Sequence, residues 1–156
     1  MGKIAFLFAG QGAQYTGMGR ELYENVSSAK KIFDVFDSLR PGTSGQCFEG
    51  TKELLSQTCN TQPCLFAVDL ACALALQERG IVPQGAAGFS LGEIPALAFC
   101  GVLPLEQAFE LVCRRGEYMD DCARSKRGAM SAVLKLPFET VEQLCEEFPD
   151  AYPVNY

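Results

Sequence analysis

Gly88-Phe89-Ser90-Leu91-Gly92 forms a G-x-S-x-G pattern between two segments of different character. The small apolar residues 85–89 predict a short buried strand, and residues 93–99 predict a helix. Ser90 would then occupy a strained turn between strand and helix, where a Cβ atom at either flanking glycine would crowd the serine. The pattern therefore predicts a strand–turn–helix unit that presents a serine hydroxyl.

Two interpretations of this turn are open. In the first, Ser90 is a nucleophile, and the free amides at the start of the following helix, near Leu91, stabilise a developing oxyanion. In the second, the segment is only a glycine-rich turn whose serine caps a helix. The pattern by itself favours neither interpretation.

The N-terminal segment predicts a second strand that ends in a glycine loop. Residues 3–8 are mostly apolar and of strand length, and glycines follow at positions 10, 12, 17 and 19. The backbone amides of such a loop could face a ligand. A dinucleotide-binding fingerprint is disfavoured, because it needs glycine where Tyr15 stands and no ribose-binding acid follows about 20 residues on.

Four separated blocks of this sequence resemble the malonyl-CoA:acyl carrier protein transacylases and related acyltransferase domains. The blocks are Phe8-Ala9-Gly10-Gln11-Gly12-Ala13-Gln14, Thr61-Gln62-Pro63, Gly88-Phe89-Ser90-Leu91-Gly92-Glu93 and Arg114-Arg115-Gly116. Their order and spacing also match, and the resemblance runs from Lys3 to Tyr156 without a large gap. It covers only the N-terminal half of that family, so we expect the chain to be truncated relative to a complete member.

The resemblance implies a set of site residues. Ser90 would carry the acyl group as an ester, the backbone amides of Gln11 and Leu91 would form the oxyanion hole, and Gln62 would line the same pocket. The family's general base is a histidine in the half that is not covered, and this chain contains no histidine. Phe89 stands where the family usually has histidine, which affects substrate positioning more than nucleophilicity.

Arg115 is a candidate substrate-binding residue by helical periodicity as well as by resemblance. In the predicted helix 105–123, Arg115 lies at the edge of an apolar face, while Arg114 points to the other side. That face is formed by Leu105, Ala108, Phe109, Val112, Gly116 and Met119. An inward guanidinium needs an anionic partner, and a malonyl carboxylate would supply bidentate geometry. A structural ion pair is the alternative, and the resemblance favours the substrate.

Composition is compatible with a soluble domain and restricts its partners. The chain has 156 residues, 48% of them hydrophobic, so it can bury a sizeable core. Its formal net charge of −6 disfavours binding to nucleic acid or to an anionic membrane. The apolar run 63–76 is too short to cross a bilayer and predicts a core helix.

The eight cysteines predict reduced thiols in a cytoplasmic protein. They are scattered without C-x-x-C pairs, and because the sequence begins with a predicted core strand we expect no signal peptide. We therefore expect no metal and no cofactor, with a coenzyme A thioester acting as the substrate.

The predicted fold is α/β, with a hydrolase-like, mostly parallel sheet flanked by helices. Residues 1–127 would form the N-terminal part of the large subdomain, and residues 128–156 the incomplete start of a small ferredoxin-like subdomain. In the large subdomain we expect helices at 19–26, 29–39, 53–56, 63–79, 93–99 and 105–123, and a loop at 41–50. In the small one we expect a strand at 129–136, a helix at 139–148 and a strand from 152.

The expected function is transfer of malonyl from malonyl-CoA to acyl carrier protein through a seryl ester, in fatty acid or polyketide biosynthesis. A serine esterase or thioesterase, and a noncatalytic fragment that binds acyl-CoA, are the alternatives. A missing C-terminal half or a second copy of the chain is a further expected partner. Two basic clusters, Lys30-Lys31 and Lys126-Arg127 with Arg124, could contact an acidic carrier protein, although solvated surface is favoured for both.

Overall fold

The computed structural model describes residues 2–125 and 128–154. The chain divides into two compact units, residues 1–125 and residues 126–156, and each is described by itself. In the first unit, helices surround a small parallel sheet, as the α/β prediction requires.

Two strands form the sheet in the described part of the chain. β1 (Ala5–Phe8) pairs in parallel with β2 (Gly85–Gly88), with Ala5 opposite Gly85 and Phe8 opposite Gly88. Side chains alternate along β1, so Phe8 is buried while Leu7 is 82% exposed. The parallel register brings the carboxyl ends of both strands to one edge of the sheet.

Seven helices accompany this sheet in the described residues of the first unit. They are α1 (Arg20–Asn25), α2 (Ser27–Leu39), α3 (Thr43–Glu49), α4 (Lys52–Leu55), α5 (Thr58–Glu78), α6 (Glu93–Phe99) and α7 (Leu105–Ser125). A one-turn 3-10 helix, Ser90–Gly92, joins β2 to α6.

Helix α5 lies at the centre of the core and packs most extensively on α7 and α2. Phe36 of α2, Phe66 of α5 and Phe109 of α7 are almost fully buried, and the rings of Phe36 and Phe109 stack with centroids 4.3 Å apart. Length and composition would allow α5 to cross a membrane. Two-thirds of its apolar window is buried inside the protein, as in the core helix of a globular domain.

Two local predictions in this unit are corrected. Residues 41–50 are not a loop, because Gly42 adopts a left-handed conformation (φ 86°) and starts α3, which buries Thr43 and Cys47. Helix α5 begins at Thr58, five residues earlier than predicted, so Pro63 lies inside it. The early start depends on a cap supplied by α7, described below, which no local pattern reveals. All eight cysteines are free thiols.

The second unit contains α8 (Phe138–Glu146) and no strand among its described residues 128–154. The strand predicted at 129–136 is therefore wrong for this structure. A strand needs a neighbour for its backbone groups, and this unit offers none in its described part. Residues 152–154 are also irregular, and the rest of the predicted last strand lies outside the described residues.

Candidate active site

The turn after β2 has the geometry of a nucleophile elbow. β2 ends at Gly88, Phe89 is extended, and Ser90, the first residue of the 3-10 turn, adopts a left-handed conformation with φ 52°. A non-glycine residue in this region stores about 1–3 kcal/mol of strain, which the surrounding structure must hold. Ser90 is exposed at this turn. The strand–turn–helix context that the sequence predicted for Ser90 is present, but the strand before it is not buried as predicted: β2 is exposed to half-buried, and Phe89 is 65% exposed.

Close backbone contacts explain the glycines around Ser90. A Cβ atom at Gly92 would collide with the carbonyl of Phe8, and one at Gly88 would collide with the backbone of Gly92 itself. A Cβ atom at Gly10 would lie 2.8 Å from the carbonyl oxygen of Phe89. The backbone therefore packs closely where the end of β1, the glycine loop and the elbow meet, and only glycine fits at these contacts.

The two predicted oxyanion residues lie at the same edge of the sheet. Gln11 stands in the glycine loop after β1, and Leu91 directly follows Ser90. Gln11 donates a side-chain hydrogen bond from Nε2 to Oγ1 of Thr58 at 3.2 Å, while Leu91 is fully buried. The role of their backbone amides as an oxyanion hole stays a prediction.

Arg115 contacts the serine directly. Its Nη2 donates a hydrogen bond to Ser90 Oγ at 3.1 Å, and the residue is half-buried, whereas Arg114 is exposed. The ion pairs found among the described residues join Arg20 to Glu49 and Lys30 to Asp34. Arg115 thus has no carboxylate partner in the part of the chain that the structure describes, which disfavours a structural ion pair.

An open pocket of about 650 Å³ lies beside Arg115. Its walls come from α6 and α7, and they are apolar apart from the guanidinium groups. The lining residues are Ile94, Leu111, Arg114, Arg115, Tyr118, Met119 and Cys122, so the prediction that Arg114 points away from the side of Arg115 is corrected. The pocket is large enough for an acyl thioester segment.

Gln62 lies behind this pocket and not in its wall. It is fully buried on α5, and its Nε2 donates to Sδ of Met119 at 3.1 Å. Its Oε1 is buried without a hydrogen-bond partner in the described structure. Gln62 thus contacts the pocket beside Arg115 through Met119, and its predicted place in the lining of the Ser90 pocket stays a prediction.

Asp120 is a site-supporting residue that the sequence analysis missed. Its Oδ1 and Oδ2 accept hydrogen bonds from the backbone amides of Thr58 at 3.2 Å and Cys59 at 2.9 Å. Desolvation raises the pKa of Asp120, but bonds from the Cys59 thiol and from both amides outweigh it and lower that pKa overall. A sequence signal was available, since Asp120 stands four residues after Gly116, on the buried face of α7.

A second carboxyl group lies close to the glycine loop. Asp69 of α5 has a buried Oδ2 without a hydrogen-bond partner in the described structure. Burial raises the pKa of Asp69 to about 7, and the nearby backbone amide of Ala9 opposes this shift. Asp69 therefore titrates near neutral pH next to the residue that precedes Gly10.

Of the residues in the two basic clusters, Lys30 makes contacts within the protein. The amine of Lys30 donates to the hydroxyl of Tyr23 at 2.9 Å and pairs with Asp34 at 3.9 Å, so this lysine is engaged within the protein. Lys126 and Arg127 lie outside the described residues.

This chain shares extensive sequence similarity with known proteins. The acyl transferase domain family matches residues 5–155. The malonyl CoA-acyl carrier protein transacylase of Bacillus subtilis strain 168 is 43% identical over 148 residues, which cover 94% of this chain and 47% of the relative. The polyketide synthase GfsB of Streptomyces halstedii is 41% identical over 90% of this chain and 3% of its own length.

Solved structures share the fold. The malonyl CoA-acyl carrier protein transacylase of Coxiella burnetii superposes with a TM-score of 0.87 at 37% identity, over 93% of this chain and 46% of that one. The transacylase of Streptococcus pneumoniae gives a TM-score of 0.84 at 42% identity, over 92% and 47%. This chain spans about half the length of the curated transacylases that it matches. By its sequence match and its fold, the chain belongs to the acyl transferase domain family.

Proposed function

We propose that this chain supplies the nucleophile and the carboxylate-binding arginine of a site that moves malonyl from coenzyme A to acyl carrier protein. The observation that carries the proposal is the 3.1 Å hydrogen bond between Arg115 and the hydroxyl of Ser90. In a malonyl thioester, one methylene separates the reacting carbonyl from the free carboxylate. A guanidinium that reaches the serine oxygen can therefore reach that carboxylate when the carbonyl is placed for attack.

The reaction would proceed in two halves. Oγ of Ser90 attacks the thioester carbonyl, the C–S bond breaks, and coenzyme A leaves as a thiol with the proton that the serine has lost. The phosphopantetheine thiol of the carrier protein then attacks the seryl ester, and the serine recovers a proton as the acyl group departs. The amides of Gln11 and Leu91 would stabilise the oxyanion in both halves.

The general base for these steps would come from outside the 156 residues. Among the described residues, the partner found for Ser90 Oγ is Arg115, whose guanidinium donates hydrogen bonds and has no acceptor atom to act as a base. The chain contains no histidine, the residue that the family resemblance implies for this role. Residues beyond this sequence or a second polypeptide would have to supply it.

Several finer features belong to the same proposal. The parallel pair β1–β2 would be part of a larger hydrolase-like sheet in a cytoplasmic enzyme, and residues 128–156 would enter a small ferredoxin-like subdomain once partner strands are present. The coenzyme A thioester would be a substrate, with no resident cofactor. What supports this proposal is the shared family and the strand-to-helix elbow.

Incubation with radiolabelled malonyl-CoA tests the proposal. The 156-residue chain is mixed with the C-terminal half of the Bacillus subtilis relative, and Ser90→Ala serves as the matched control. We expect label on Ser90 that acyl carrier protein can discharge as malonyl-thioester. Label released as free malonate would indicate a thioesterase, and binding without label on Ser90 would indicate a noncatalytic fragment. Either result rejects the proposal.

A further inference from the structure

The N-terminus of α5 contacts two parts of the candidate site, helix α7 and the glycine loop. Helix α5 starts at Thr58, and the amides of Thr58 and Cys59 lie in its first turn, where no intrahelical acceptor is available. The carboxylate of Asp120 on α7 accepts both, at 3.2 and 2.9 Å. One carboxylate thus caps a neighbouring helix and joins the two elements that pack most extensively in this fold.

The same contact fixes α7 along α5. A Cβ atom at Gly116 would lie 3.0 Å from both Cα of Cys59 and the carbonyl oxygen of Thr58, so the two backbones touch there. Gly116 directly follows Arg115, and Asp120 lies one helical turn further on. A shift of α7 against α5 would move Arg115 away from the position in which it meets Ser90.

The capped turn also reaches the glycine loop. The hydroxyl of Thr58, whose amide is held by Asp120, accepts a hydrogen bond from Nε2 of Gln11 at 3.2 Å. Asp120 is therefore linked on one side to the residue that bonds the nucleophile and on the other to the loop that carries the predicted oxyanion amide.

We propose that Asp120 is a positioning residue for acyl transfer, which sets Arg115 opposite Ser90 and restrains Gln11 by capping α5. The inference rests on the proposed function for its link to malonyl binding. Asp120 does not touch the serine, so its effect is indirect, through the register of α7 and through Thr58.

Nuclear magnetic resonance of the ¹⁵N-labelled 156-residue chain tests the proposal, with malonate as the probe for Arg115. Three variants are compared: Asp120→Ala, Asp120→Asn and the exposed neighbour Asp121→Ala as the matched control. In Asp120→Ala we expect hydrogen-exchange protection of the Thr58 and Cys59 amides to fall about tenfold. We also expect the Arg115 side-chain resonance to shift and the malonate affinity to fall about tenfold.

The conservative variant distinguishes positioning from bulk stability. The amide oxygen of Asp120→Asn still accepts one backbone N–H, so we expect malonate affinity within about threefold of the parent chain. Asp121→Ala should leave the exchange rates, the Arg115 resonance and the affinity unchanged. If Asp120→Ala does not fold, Asp120→Asn must lose protection at one of the two amides and shift the Arg115 resonance.

Two results would overturn the inference. One is unchanged protection of Thr58 and Cys59 in either folded Asp120 variant. The other is loss of that protection with an unmoved Arg115 resonance, which would make Asp120 a helix cap only. If the parent chain does not bind malonate, the proposed substrate fails, and the role of Asp120 is judged by the Arg115 resonance of the unliganded chain.

Discussion

Two features of the surroundings of Ser90 bear on its chemistry. The first is the closely packed, glycine-rich turn in which it has φ 52°, and the second is the Arg115 guanidinium that donates to its hydroxyl. The strained backbone was predictable, because a G-x-S-x-G pattern between strand and helix needs it. The atom that Arg115 contacts was not predictable, since helical periodicity gives the side of a helix that a residue faces but not the atom that it contacts. The distance between Ser90 and Arg115 depends on where α7 packs.

Gly92→Ala should damage the elbow because its Cβ atom has no room. It would collide with the backbone of β1 at Phe8, so we expect a loss of about 1–3 kcal/mol in the free energy of unfolding. Gly45→Ala is the matched control. Gly45 lies in α3, where an added methyl group would meet nothing within 4 Å, and alanine should stabilise that helix by about 0.5–1 kcal/mol. Urea unfolding measures both, and equal effects would contradict the close contact.

Arg115→Ala should remove selection for a dicarboxylic acyl group. In the chain complemented by a relative's C-terminal half, we expect malonyl transfer to lose about 2–4 kcal/mol of transition-state stabilisation, while acetyl transfer changes little. Arg124→Ala, an exposed arginine near the end of the same helix, is the control. Competition between malonyl-CoA and acetyl-CoA measures the preference. An unchanged ratio in Arg115→Ala would rule out the carboxylate clamp.

At the scale of elements, the sequence predicted correctly those helices and strands that depend only on the pattern of residues within their own segment. Strands β1 and β2, the amphipathic α7 and the order of elements around the elbow follow from apolar spacing and glycine position. The start of α5 was misplaced because its cap, Asp120, lies 62 residues away from Thr58 in the sequence. The strand at 129–136 failed because strand formation depends on a partner strand and not on β-propensity alone.

Helix α5 carries Asp69, whose titration should make stability depend on pH. The pKa is raised to about 7 in the folded chain, so the unfolded chain releases the proton first as pH rises. The contribution to stability is therefore full below about pH 4 and is lost between about pH 4 and 7, by about 4 kcal/mol at most.

Asp69→Asn isolates this contribution, because Glu53, Glu78 and Asp120 have lowered pKa values with the opposite pH dependence and remain in both chains. We expect the free energy of unfolding of Asp69→Asn, taken relative to that of the parent chain, to be higher at pH 8 than at pH 4. Urea midpoints at the two pH values provide the measurement. A difference between the chains that does not change with pH would show that Asp69 is ionised normally in the folded protein.

At the scale of the whole molecule, the described sheet has two strands and leaves one of its faces exposed. Phe6 and Phe8 are buried on one face of β1, while Leu7 on the other face is 82% exposed, and Phe89 after β2 is exposed as well. An apolar side chain on an open sheet face is suited to contact with further protein. The transacylase relatives are about twice as long as this chain.

The rate of acyl transfer should therefore depend on what is added to the chain. General-base assistance is worth about 10²–10⁴ in rate, and the 156 residues contain no histidine to provide it. The proposed oxyanion amides of Gln11 and Leu91 and the proposed carboxylate clamp Arg115 belong to this chain, so we expect slow acylation of Ser90 by malonyl-CoA even without a base. We expect the chain alone to show turnover at least about 10²-fold below that of the same chain mixed with a relative's C-terminal half.

Steady-state transfer to acyl carrier protein, followed with and without the added half, measures this dependence. A C-terminal half whose histidines are replaced by alanine is the matched control, because it keeps the rest of its surface but has no histidine to act as a base. Recovery with the native half alone would assign the missing proton acceptor to a histidine. Equal recovery with both halves would show that docking, and not proton transfer, limits the rate. Rapid turnover by the chain alone would show that acyl transfer here needs no base beyond these residues, and the mechanism proposed for Ser90 would be wrong.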